Sequence, residues 1–366
     1  MIYLLTFFLL AAAFGGLDGI RLPRSAACLA SAVLATMAAL RASEVASDFF
    51  TYHDWYQYPG DDGDFVPRPF LFESIYFGLS SALSAMEVPF RGFLWIVAAV
   101  SVFTKATVLL KFSGRAVASA IALLVYSLTF YLLHDFTQIR AGVAIALLYA
   151  AFWVLSNGSR LRAFGLIVLA CGFHSSSVFA LLFLLPTHGR LSKVVDVTLV
   201  LVPLALLGAA FAGFSAGDQL GNWLAQFDPR LSIYVELARF GDTSPANPFS
   251  IPALLALALA LSLYLGSAPP KETGPTFVRD ELGLAHIRRS VLLGICYLAL
   301  LFSFREIGLR LYEFSISFIP IAAAIVFSRD RMVLPKALIV MWCAATTYVY
   351  VFRAGALVAP YAIGAF

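Results

Sequence analysis

The stretch Thr137–Ser156 reads TQIRAGVAIALLYAAFWVLS, and its composition decides the architecture. After Arg140 come nineteen uncharged residues, ending at Ser159. A helix rises ~1.5 Å per residue, so this run is long enough to cross a bilayer core of about 30 Å. Apolar runs of similar length recur near 2–20, 25–42, 91–110, 116–134, 194–213, 249–267, 290–305, 310–327 and 334–352. They predict an all-α, polytopic integral membrane protein with about ten spanning helices.

Composition agrees. Of 366 residues, 61% are hydrophobic and 13% charged, where a soluble domain has about a quarter charged. The runs are continuous rather than alternating, which argues against a barrel. No large soluble domain fits between them, so residues 1–366 read as a single transmembrane domain. The net charge of +4 lies mostly in short loops, where it sets orientation. No nucleic-acid partner is expected. Cys28, Cys171, Cys296 and Cys343 fall in apolar stretches without metal-ligand spacing and read as small core residues. No metal site and no cofactor are expected. The opening MIYLLTFFLLAAAFGG lacks a basic leader and reads as a retained helix.

The positive-inside rule assigns sides. Arg21 and Arg24 place the first loop inside, and the acidic, aromatic loop after it outside. The outer region over 43–90 carries an amphipathic stretch, FLFESIYFGLSSALSAM (70–86), read as interfacial or partly inserted. Lys111 and Arg115 fall inside, HDFTQIR outside, NGSRLR inside. The segment 163–186 is long enough to span but is interrupted by GFHSSS. Read as a full span, it puts the basic THGRLSK (187–193) outside. Read as a re-entrant hairpin bending at Gly172–Ser177, it returns Arg190 and Lys193 inside and makes 214–248 a second outer loop. The hairpin is preferred because it restores the positive-inside pattern; its broken backbone would need a wet or protein-lined cavity.

Charges near apolar runs need a partner or a task. Arg140 either snorkels to headgroups or has a functional task; Gln138, two residues away and on another helix face, would then grip a different group. His174, between Gly172 and three serines, is either a hydrogen-bonded core residue or a functional one. Arg305 and Arg310 suit a bidentate clamp on phosphate or diphosphate, or else serve as loop charges paired with Glu306 and Glu313. In the outer loop, Asp48, Tyr52, His53, Asp54, Trp55 and Tyr56 mix carboxylates with aromatics. That mixture suits sugars, and equally an interfacial aromatic belt. DDGD (61–64) reads as a solvated turn. The sequence shows no HExxH, Walker, GxSxG or paired-cysteine motif and no internal repeat.

QIRAGVAIAL followed by FHSSSVFALLFLLP resembles the EpsG/Wzy-type family of bacterial polysaccharide polymerases. SDFFTYHDW is similar to that family's Asp-x-x-x-Tyr element. LFESIYFGL resembles its Glu element, with Ser74 where the family usually has proline, and LRLYEFSISFIPI resembles its late Arg-aromatic element. The likeness covers most of 45–325. It implies a GT-C-like glycosyltransferase architecture in the bacterial inner membrane, with a site facing the periplasm. The implied donor is an undecaprenyl-pyrophosphate-linked oligosaccharide, polymerised without nucleotide. A chain-length regulator and a flippase of the same pathway are the implied partners, besides membrane lipids. Diphosphate binding would fall to Arg140, Arg305, Arg310 and Gln138. Activation of the acceptor hydroxyl would fall to His174, Glu73 or Asp48, and sugar contacts to Tyr52, Asp54, Trp55 and Glu313. A glycan ligase, or a flippase for the same lipid-linked sugar, is the alternative.

Overall fold

The computed structural model describes residues 24–41, 43, 48–57, 73–187, 189–214, 245–265 and 275–350. These residues form helices joined by turns, with no strand among them. The chain divides into two compact units, one of 1–62, 68–178 and 319–366, the other of 63–67 and 179–318.

The first unit contains α1 (Arg24–Leu40), α2 (Phe49–Gln57), α3 (Ser74–Ala85) and α4 (Phe90–Phe112). Next comes α5 (Ala116–Tyr126), which widens into a π-helix over Ser127–Asp135. The pair α6 (Ile139–Ser156) and α7 (Arg160–Cys171) follows, and later in the chain α12 (Ile319–Val326) and α13 (Val333–Tyr348). α4 packs against α1 and α6, α7 folds back along α6, and α12 lies against α5. The second unit contains α8 (Gly189–Phe211), α9 (Ile251–Leu265), α10 (Pro275–Leu300) and α11 (Arg305–Ile316), with α8, α9 and α11 each packed on α10.

Six helical segments are long and apolar enough to cross a membrane: 90–112, 116–135, 139–156, 189–211, 279–300 and 307–326. Three more expected runs form shorter apolar helices, at 27–40, 251–264 and 333–348. The expected helix at 2–20 lies outside the described residues.

Three boundaries differ from expectation, each for a physical reason. α10 begins at Pro275 rather than near 290, because charge does not end it. Asp196 takes Arg289 at 2.7 Å and Arg288 at 3.1 Å, and Arg289 also donates to the Pro186 carbonyl at 2.9 Å and the Ser192 hydroxyl at 2.8 Å. The run at 310–327 is interrupted at Ser317–Phe318, where the Ser317 hydroxyl donates to the Phe314 carbonyl at 2.7 Å. The segment 163–186 breaks at Gly172–His174 into α7 and a 3₁₀ segment, Ser175–Leu184. The twelve residues of α7 reach only ~18 Å, short of the bilayer core of about 30 Å.

Two further contacts fix the first unit. At one end, Arg115 pairs with Asp330 at 2.6 Å and Gly114 N–H donates to the Ser328 hydroxyl at 2.9 Å. Inside, the Asp135 carboxylate receives Lys105 at 2.7 and 2.8 Å and the Tyr126 hydroxyl at 2.7 Å, with the Ser101 hydroxyl as a further donor. Lys105 and Asp135 are both buried. A desolvated pair of this kind is stable only when such extra hydrogen bonds complete it. The cluster ties α4 to the π-helix immediately before α6. Gly142 permits the fit: a Cβ there would lie 2.8 Å from Asp135 Oδ1 and 3.2 Å from the Asp135 Cα.

Candidate functional site

Glu73 precedes α3 with φ at 68°, a left-handed conformation that few non-glycine residues adopt. It is held there from two directions. Its N–H donates to the Cys171 carbonyl at 3.2 Å, while the next turn, Ile75 and Tyr76, donates to the Gly172 carbonyl at 3.0 and 3.2 Å. Its side chain accepts from Arg140 at 2.7 Å. The end of α7, the start of α3 and the start of α6 therefore meet at one place. Strain retained at such a junction commonly marks a functional site.

Arg140 is the centre of this junction. Its guanidinium pairs with Glu73 and lies 4.7 Å from the Trp55 ring centroid, 5.6 Å from Tyr52 and 5.7 Å from Tyr76. The aromatic cage comes from α2 and α3, which pack through Tyr52–Tyr76 at 6.0 Å and Trp55–Phe77 at 5.4 Å. Contacts of this kind contribute ~0.5–1.5 kcal/mol beyond burial. Sequence reasoning assigned Tyr52 and Trp55 to sugar stacking. In the structure both rings lie against the guanidinium, a use that also fits their ring electrostatics. The Arg140 side chain is only 16% exposed and is caged on several sides.

His174 ends the break that leaves α7 and stands just before the 3₁₀ segment. Its Nδ1 accepts the Ser176 N–H at 3.2 Å. A neutral imidazole that accepts at Nδ1 carries its proton at Nε2. The side chain thus faces its surroundings as a donor, whereas a general base working through Nε2 would need the opposite tautomer.

Of the other expected residues, Asp48 stands just before α2, its carbonyl accepting the Tyr52 N–H at 3.1 Å. Gln138 precedes α6 and is half-buried. Asp54 has a 68% exposed side chain and meets His53 at 3.5 Å. Arg305, Arg310 and Glu313 share α11 in the second unit, Arg305 exposed and the other two half-buried. The structure thus joins Glu73, Arg140, Tyr52 and Trp55 directly and brings the His174 turn to them.

Sequence reasoning passed over several residues. Tyr76 lies one turn beyond Glu73 in the same motif. Lys105 is a lone cation inside an apolar run, a signal that could have been followed. Arg41, just after α1, gave no signal, because nothing in the sequence places it between Phe49 and the distant Phe136. Among the described residues, no group of three His, Cys, Asp or Glu side chains is placed to hold a metal ion.

No curated protein and no solved structure matches the chain. A family model does, over residues 26–363, a range that includes every residue of the Arg140–Glu73 junction. The chain belongs to the EpsG family.

Proposed function

We propose that the protein is a glycosyltransferase of the bacterial inner membrane that polymerises oligosaccharide repeat units carried on a polyprenyl diphosphate, with its site open to the periplasm. Membership of the EpsG family supports a polysaccharide polymerase role. The observation that carries the reading further is the caged Arg140–Glu73 pair, a guanidinium oriented by a carboxylate and three aromatic rings.

In this reaction the acceptor hydroxyl oxygen forms a bond to the anomeric carbon as the anomeric C–O bond to the diphosphate breaks. The bonding electron pair leaves with the diphosphate, and the hydroxyl proton passes to a base. Charge develops on the leaving group, and a fixed guanidinium in a desolvated site stabilises it without reorganising. Glu73 holds Arg140 in position. His174, as an Nε2–H donor, adds a second hydrogen bond to the leaving group or the sugar. Asp48, one turn before Tyr52 at the start of α2, takes the proton. Arg305 and Arg310 hold the incoming lipid-linked unit by its diphosphate, and Asp54 and Glu313 contact sugar hydroxyls.

The re-entrant reading of 163–186 is supported by the Arg115–Asp330 pair. A direct contact puts both ends on one side, so an even number of crossings separates them. The expected runs between residues 115 and 330 give six crossings without 163–186 and seven with it.

The deciding experiment supplies purified protein with synthetic polyprenyl-diphosphate repeat units. Chain extension without nucleotide is the expected result. Transfer of a finished chain to a different acceptor, or translocation without extension, would replace this reading with a ligase or a flippase.

A further inference from the structure

Arg41 is fully buried, at 0% exposure. Its guanidinium makes one hydrogen bond, from Nη1 to the carbonyl of Ala38, a turn earlier in the chain. Nε and Nη2 have no acceptor. The ring centroids of Phe136 and Phe49 lie 5.5 and 5.7 Å from its central carbon. Phe49 is one turn from Tyr52 on α2, and Phe136 sits in the turn that leads to Arg140. Tyr76 interacts electrostatically with both Arg41 and Arg140. Its hydroxyl is buried and has no partner either, and Nε of Arg140 is in the same condition.

A buried cation with unmet donors is expensive, several kcal/mol in general, and native structures seldom leave such groups unexplained. Here the unmet groups are clustered and of one kind. Arg41 Nε and Nη2, Arg140 Nε and the Tyr76 hydroxyl can all donate. Glu73 is engaged by Arg140, and Asp48 acts on Arg41 electrostatically, so two carboxylates already share the two guanidiniums. Such a set calls for a ligand rich in acceptors and in negative charge. One phosphate group meets one guanidinium edge well. A diphosphate has enough oxygens to engage two.

We propose that Arg41 is a second diphosphate-binding residue, forming with Arg140 and the Tyr76 hydroxyl one oxyanion site for the head of the polyprenyl-diphosphate donor. The ligand enters from the side where Arg140 and Trp55 keep partial exposure. Arg41 then meets the inner phosphate. This proposal rests on the functional reading above for the lipid source of the diphosphate, but not for the oxyanion chemistry.

The test uses the full chain in lipid nanodiscs and three sugar-free probes: farnesyl diphosphate, farnesyl monophosphate and inorganic pyrophosphate. Wild-type protein should bind farnesyl diphosphate at least about tenfold more tightly than the monophosphate, because the second phosphate recruits the second guanidinium. Arg41→Gln should lose about tenfold on the diphosphate and little on the monophosphate. Arg41→Lys should recover only part. Tyr76→Phe keeps the ring and removes only the hydroxyl, and should weaken diphosphate binding several-fold. It also stands as the test if Arg41→Gln does not fold. Unchanged affinity in Arg41→Gln, unchanged affinity in Tyr76→Phe, or no diphosphate binding by the wild type would each overturn the proposal. Arg41-dependent binding of inorganic pyrophosphate as tight as that of farnesyl diphosphate would keep the site and overturn its lipid source. Chain extension is read separately. Arg41-dependent binding in a wild type that never extends a chain would sink the polymerase reading and leave this site standing.

Discussion

Ile75 occupies the space where a side chain at residue 172 would be. A Cβ added to Gly172 would lie 2.3 Å from Ile75 Cδ1, 2.6 Å from Cγ1 and 3.2 Å from Cβ. The Gly172 carbonyl also accepts the Ile75 N–H at 3.0 Å. Shifting the side-chain tip is therefore not enough, because the backbones themselves are in register.

The expected consequence is that Gly172→Ala forces α3 off the end of α7 and moves Glu73 from Arg140. Overpacking of this sort costs ~1–3 kcal/mol. Ile75→Ala should restore space, so the double variant should regain both stability and chain extension relative to Gly172→Ala. Additive losses would show that the close approach is not what requires the glycine. Thermal unfolding in detergent and extension of lipid-linked units measure the two quantities.

Much of the fold was legible because apolar length is a one-dimensional property. Nine of the ten expected runs appear as helices, and the break at GFHSSS was visible as glycine and serine inside an apolar run. The junction was legible only in part. Arg140, Glu73 and His174 announced themselves as polar residues in apolar surroundings. Which of them touch could not be read, since Glu73 and Arg140 pair across 67 positions. The contact of Tyr52 and Trp55 with Arg140 could not be read, because rings suited to sugar faces suit guanidinium faces equally. Arg41 was missed because a cation following an apolar run looks like a membrane-edge charge unless its burial is known.

Lys105 and Asp135 offer a second test, of a structural element. Lys105→Met leaves the Asp135 carboxylate buried without its cation, which should cost ~3–5 kcal/mol. Lys105→Met with Asp135→Leu removes both charges and should recover most of that loss. If the double variant is no more stable than the single, the pair is not acting as a unit. Chain extension by a recovered double variant would further show that the pair positions the α6 start rather than taking part in chemistry.

Arg140→Lys should be nearly as damaging to extension as Arg140→Ala. A lysine keeps the charge but loses both the planar fork and the stacking that Trp55, Tyr52 and Tyr76 provide. Both variants should still accumulate in the membrane. Full extension by the lysine variant would reduce Arg140 to a simple positive charge.

On the re-entrant reading, residues 187–193, which include the start of α8, are expected on the cytoplasmic side. Leu191, 55% exposed, is the position to label, whereas Ser192 is buried against Arg289. In a background with all four native cysteines replaced, Leu191→Cys should resist an impermeant thiol reagent in cells with a permeabilised outer membrane. Rapid labelling would mean that 163–186 crosses the membrane.

The tautomer of His174 leads to the sharpest test. With Nδ1 accepting the Ser176 N–H, the imidazole acts through an Nε2–H donor. Glutamine places an amide N–H near that position but cannot take up a proton. If His174 donates a hydrogen bond, His174→Gln should retain a substantial part of the turnover that His174→Ala loses, and its rate should follow the wild-type pH profile. If His174 is the base, glutamine and alanine should be equally poor, with losses of about 10²–10⁴-fold. The wild type would then lose activity on the acid side as the imidazole protonates, and the glutamine variant would show no such fall. Steady-state extension across pH separates the two. A glutamine variant as inactive as the alanine variant would return the base role to His174 and remove it from Asp48.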